Sequence, residues 1–150
     1  MLKERIVIVK KLIEECIELL ELNICSVIQS EQKANPETVH QWAFPVYPGF
    51  TLYILIIEEF DDYFIRLEVV VSEQKFWSEE FVRYALMTQY CYLYPYRLTL
   101  KNNFLIILYQ SPLGDICDED LRKIISNIIP FSVSAFNELE EKFKIKPCLK

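Results

Sequence analysis

The sequence predicts a small α+β domain in which an antiparallel sheet packs with helices in the order α-β-β-β-α-β-β-α. Three observations predict it. Amphipathic stripes of helical period open and close the chain, two β-branched and aromatic runs meet at an acidic turn in its middle, and two shorter apolar runs flank Asn102-Asn103. The 150 residues are 52% hydrophobic and 25% charged, so one core can offset the entropy of ordering the chain without disulfides or a structural metal. A single domain, 1–150, is therefore expected.

The first helix is expected over residues 3–22. There Ile6, Val9, Ile13, Cys16, Ile17 and Leu20 recur at helical spacing, while Glu14, Glu15, Glu18 and Glu21 gather elsewhere around the wheel. Asn23 suits its end, and the short β-branched run 24–30 reads as the first strand. Residues 31–40 are polar and contain Pro36, which reads as loop. Trp42, Phe44 and Tyr47 follow beside Pro45 and Pro48. Large rings on a proline-bearing loop are costly if left bare to water, so residues 42–48 are expected to fold down as a lid or to bind something.

Residues 50–58 and 63–71 carry the strongest strand signals and form a hairpin through Glu59-Phe60-Asp61-Asp62. In the second of these strands Tyr63, Ile65, Leu67, Val69 and Val71 share one face and Phe64, Arg66, Glu68 and Val70 the other, which predicts one core face and one mixed face. In the first, Leu52, Ile54 and Ile56 oppose Tyr53, Leu55 and Ile57. Apolar side chains on both faces predict cover on both sides over part of the sheet, by a helix or by a second subunit.

Ser78 followed by Glu79 and Glu80 caps a helix that runs to about Leu93, before Pro95. Its core stripe is expected to be Phe81, Val82, Ala85, Leu86 and Leu93, with a second stripe of Tyr84, Met87, Tyr90, Cys91 and Tyr94 beside it. Residues 98–101 and 104–110 form a tight hairpin across the two asparagines, which tolerate positive φ. After a loop over 111–117, Asp118 caps a last helix to about Phe143, with Leu121, Ile124, Ile125, Ile128, Phe136, Leu139 and Phe143 near one stripe. Pro130 lies inside that helix, where loss of a backbone donor is expected to kink or split it.

The composition argues against several functions. Lys and Arg total 16 against 22 Asp and Glu, and a net charge of −6 opposes both nucleic-acid phosphates and anionic membranes. Every long uncharged run is broken by proline or glycine, and the amino-terminal residues lack a signal-peptide pattern, so a cytoplasmic protein is expected. The five cysteines are odd in number and widely spaced, without a Cys-x-x-Cys pair, which suits reduced thiols. His40, the single histidine, reads as a surface loop residue, and two glycines cannot build a phosphate-cradling loop. The acids at Asp61-Asp62 and at Asp115, Asp118, Glu119 and Asp120 occupy a turn and a helix cap, ordinary places for carboxylates. Cys91 has no basic neighbour in sequence to lower its pKa, and Cys148 is expected to be accessible. No enzyme activity, metal or cofactor is expected.

What the sequence has in surplus is apolar and aromatic surface. Tyr and Met are enriched where proteins meet. The candidate protein-binding residues are Tyr84, Met87, Tyr90 and Tyr94 on the second helix, Trp42, Phe44 and Tyr47 in the proline-bearing segment, and Tyr53, Leu55 and Ile57 on the sheet. Intramolecular packing is the competing use for the same rings.

The run from Phe81 to Phe143 also carries a resemblance. A helix ends in Gln89-Tyr90-Cys91-Tyr92-Leu93-Tyr94-Pro95 and is followed by a short hairpin, Tyr109-Gln110-Ser111-Pro112-Leu113, the acidic cap Asp118-Glu119-Asp120-Leu121 and a long helix. With the element order, this resembles the type III secretion chaperone-like fold and, within it, the YbjN-like family, with Gln89 where that family carries an asparagine. The resemblance implies a homodimer or other self-associating scaffold without catalytic residues that binds extended segments of other proteins. The expected function is thus non-enzymatic binding of a partner protein segment through an apolar sheet or helix surface. The alternative is an acidic inhibitor or immunity-type protein that neutralises a cationic partner.

Overall fold

The computed structural model describes residues 2–20, 38–46, 49–91 and 95–147. The elements follow the expected order: α1 (Leu2–Leu19), β1 (Thr38–Val46), β2 (Phe50–Glu59), β3 (Asp62–Glu73), α2 (Glu79–Cys91), β4 (Arg97–Lys101), β5 (Phe104–Pro112) and α3 (Asp118–Phe143). The strands form one five-stranded sheet in the order β1-β2-β3-β5-β4, and every neighbouring pair is antiparallel. The β2–β3 turn uses two residues, Phe60 and Asp61, at φ 53° and 61°. Two left-handed residues match the twist of the flanking strands, and Phe60 stands 91% exposed at the tip. The β4–β5 turn is equally short, with Asn102 at φ 57°.

Register sorts the sheet into two faces. Phe44, Leu52, Val69, Ile107 and Leu98 form one cross-strand row, and Trp42, Ile54, Leu67 and Tyr109 the next. All nine are buried and belong to a single cluster that also takes in the inner side chains of α1, α2 and α3. The β3 alternation thus falls as its sequence predicts. The other face carries Tyr53, Leu55, Ile57, Phe64, Arg66 and Glu68, and its buried members Ala43, Leu55, Ile57 and Ile106 lie outside that cluster. The described helices all take the first face, yet Leu55 and Ile57 on the second are also buried, so both faces are covered over part of the sheet.

The first strand of the sheet is a correction. Residues 38–46, expected to be the end of one polar loop and the start of a proline-bearing one, are β1, whereas residues 24–30 lie outside the described residues. In β1, Trp42, Phe44 and Val46 alternate inward, and Trp42 and Phe44 are only 5% and 0% exposed. The apolar cost of leaving these rings bare is met by the core, not by a lid or a ligand. Pro45 is exposed on this outermost described strand, where a missing N–H is tolerated. His40 is likewise a half-buried strand residue, not a loop residue.

α1 buries Ile6, Val9, Leu12, Ile13, Cys16 and Ile17. Arg5 pins it to the entry of α3: Nη1 meets Asp118 Oδ1 at 2.5 Å, Nη2 donates to the Ile116 carbonyl at 2.6 Å and Nε to the Leu113 carbonyl at 3.1 Å. α3 is one helical element of 26 residues, neither split nor capped by Asp118; Cys117 holds the cap position in extended conformation. Pro130 is tolerated because it lies on the exposed side, away from the buried stripe of Leu121, Ile125, Ile128, Ser132, Phe136 and Leu139. Ser126, four residues before it, is also exposed, so the carbonyl that loses its helical donor lies on the solvent side.

Candidate functional site

α2 is capped as its sequence predicts: Ser78 Oγ accepts the Phe81 N–H at 3.1 Å, and Glu79 and Glu80 sit at the positive end of the helix dipole. Phe81 and Ala85 reach the core. The Phe81 ring stands edge-on to Phe143 with centroids 5.2 Å apart and lies 4.8 Å from Trp77. Tyr84 turns to α3, where its hydroxyl donates to Glu138 Oε1 at 2.9 Å, its ring lies 5.3 Å from Phe143 and Lys142 Nζ sits 4.3 Å from its centroid. Hydrogen bond, ring contact and cation–π attraction together fasten α2 to the carboxyl-terminal half of α3.

Leu86 and Met87 behave differently. They stand 63% and 68% exposed, and Leu86, expected in the core stripe, is instead on the surface. Leu86 joins Val82, Ala85, Leu98, Leu100 and Leu105 around an open groove of about 310 Å³ between α2 and β4. Its side-chain walls are mainly apolar, with Thr99 also in the lining, and its outer rim is a sheet edge, because β4 is the terminal strand on that side among the described residues. A two-residue hairpin makes its flanking residues a hydrogen-bonded pair, so Arg97, Thr99 and Lys101 bond across to β5 while the backbones of Leu98 and Leu100 point outward. Arg97 and Lys101 are exposed at the two ends of β4 and make no ion pair among the described residues. At the Arg97 end β5 outruns β4, leaving a second cleft of about 540 Å³ that Phe64, Tyr96, Leu108 and Gln110 help to line.

The candidate residues therefore separate. Met87 is exposed on another side of α2 and does not line the groove, while Tyr84 is half-buried against α3. Trp42 and Phe44 are core residues, and Tyr53, Leu55 and Ile57 share the other face of the sheet, with Leu55 and Ile57 buried. Tyr47, Tyr94 and the side chain of Tyr90 lie outside the described residues. Arg97, Lys101 and the outward turn of Leu86 escaped sequence reasoning. One signal for the first two is legible in hindsight: charges that bracket a short apolar strand mark a sheet edge guarded against pairing with its own kind.

Three titratable groups among the described residues are shifted by their surroundings. Burial pushes the Cys16 thiol up, with Arg122 opposing it and Glu15 adding to it. Burial, helped by Lys10 and opposed by Glu14, holds His40 below the usual imidazole range. Burial and then Tyr109 push Tyr96 up to about 12, while its hydroxyl donates to the Ile124 carbonyl at 2.9 Å. Asp62 accepts the Tyr63 N–H at 2.8 Å and Asp118 holds Arg5, both local structural uses. Among the described residues no three His, Cys, Asp or Glu side chains gather to hold a metal ion, and no helix is long and apolar enough to cross a membrane. No family model and no curated protein sequence matches the chain significantly.

Proposed function

We propose that this chain is a non-enzymatic protein-binding domain that holds a segment of a partner protein in the groove between α2 and β4. The observation that carries the reading is the exposure of Leu86 in an apolar groove whose outer wall is a sheet edge among the described residues. Exposed apolar surface next to a strand edge that is open among the described residues suits either of two recognition modes, strand addition or groove packing. Such a role agrees with the chaperone-like proteins that the sequence resembles, and the scattered thiols support placing it in the cytoplasm. A homodimer, which that resemblance implies, is part of the same reading.

The test is affinity capture with tagged protein from its source lysate at low and high salt, alongside the double variant Leu86→Glu, Met87→Glu. A stoichiometric partner that survives high salt and is lost from the variant is the expected result. Equal capture by both proteins overturns the groove as the site. A partner held only at low salt points to the acidic-inhibitor alternative.

A further inference from the structure

Resting on that reading, we infer that the groove takes an extended segment of the pattern acid–apolar–any–apolar–acid, laid along β4 as an added strand. The geometry supplies each position. Successive β-strand side chains point to opposite faces, so Leu98 and Leu100 turn to the α2 side while Arg97, Thr99 and Lys101 turn to the other. A strand added at this edge bonds the outward backbone groups of Leu98 and Leu100 and sets its own side chains opposite those of β4. Residues opposite Leu98 and Leu100 enter the groove under Val82 and Leu86, where apolar groups are the only good fit. Residues opposite Arg97 and Lys101 meet two exposed cations that have no ion-pair partner among the described residues, and carboxylates complement them.

The same charges argue against a second copy of this chain at the edge. Pairing β4 with itself in antiparallel fashion about Thr99 would set Arg97 of each copy against Lys101 of the other. Like charges directly opposite each other destabilise a strand pair. Thus the edge resists self-pairing and accepts an acidic strand.

The experiment measures fluorescence anisotropy of two labelled nine-residue peptides, one with the core Glu-Leu-Thr-Leu-Glu and one with Lys-Leu-Thr-Leu-Lys. They are titrated with the full chain, with Arg97→Glu, Lys101→Glu and with Leu86→Glu. Two cross-strand charge pairs favour the acidic peptide by roughly tenfold at low salt, the preference reverses in the double charge variant, and Leu86→Glu weakens both peptides. All three substitutions are at exposed positions, and circular dichroism confirms that each variant keeps its fold. Equal binding of the two peptides, with loss in Leu86→Glu, overturns the charge pattern and leaves the groove reading standing. If neither peptide binds, the strand pattern falls, and the lysate capture with the Leu86, Met87 variant decides the groove separately. A concentration-dependent dimer by sedimentation that Leu86→Glu dissociates makes a second copy the occupant and overturns the inference.

Discussion

α3 and α2 pack on the same face of one sheet, yet they use their apolar residues in opposite ways. α3 lays Leu121, Ile125, Ile128, Phe136 and Leu139 into the core along 26 residues, and Arg5 ties its first turn to α1. Within the 13 residues of α2, Phe81 and Ala85 are the described side chains that are buried, while Leu86 and Met87 face outward. Full burial of a large apolar side chain contributes roughly 1.5–3 kcal/mol, so the two helices differ widely in what anchors them. The lesson is that similar amphipathic composition can close a core in one helix and leave large apolar side chains exposed in another.

Breaking the stronger partner should have the largest effect. Phe136→Ala removes a buried ring that stands edge-on to Phe50 at 5.2 Å. The variant should lose about 3–5 kcal/mol in urea denaturation. Arg5→Ala strands Asp118 and two carbonyls at the α1–α3 junction, and a loss of about 2–3 kcal/mol is expected in the same assay. Ser78→Ala sharpens the contrast from the other side. Removing the cap should cost about 1 kcal/mol, and native-state hydrogen exchange should show α2 amides opening well before those of α3. Leu86→Glu with Met87→Glu should leave stability within about 0.5 kcal/mol of the parent, because neither side chain is buried; a larger loss would show that α2 depends on them.

The smallest expected effect is a pH dependence under α1. His40 titrates below its unfolded value because of burial and Lys10, so the unfolded chain binds more protons just below pH 6.5. Its contribution is therefore full above the unfolded pKa and is lost as pH falls through the folded one. The difference in urea midpoint between His40→Gln and the parent should shift in the variant's favour over that window, and a pH-independent difference would remove this assignment.

Much of the frame was legible in the sequence because period reports burial directly. The stripes of α1 and α3, the β2–β3 hairpin with its turn and the Ser78 cap all follow from spacing and local chemistry. β1 did not, since Thr38, His40, Gln41 and Pro45 look polar or strand-breaking one at a time, and only the neighbouring β2 makes inward alternation of Trp42 and Phe44 profitable. α2 was half legible. With apolar residues around most of its girth, its sequence cannot say that Phe81 and Tyr84 meet Phe143 while Leu86 turns away; that choice belongs to α3. Pro130 does not split α3, because a proline's effect depends on which side of the helix it occupies.

The strand order has a consequence for how this surface can change. β2 joins β3, and β4 joins β5, through turns of two residues, but α2 lies on the one excursion that leaves β3 and returns at β4 beyond β5. Loop-closure entropy rises only logarithmically with length, so doubling such an excursion costs roughly 0.6 kcal/mol. Exchanges at exposed positions of this connection, such as Leu86 and Met87, are therefore cheap for the sheet, whereas insertions in the tight turns would shift strand register. The exposed side of the proposed recognition helix can thus be rewritten while Phe81 and Ala85 hold its buried side, which leaves specificity free to diverge while the framework stays fixed.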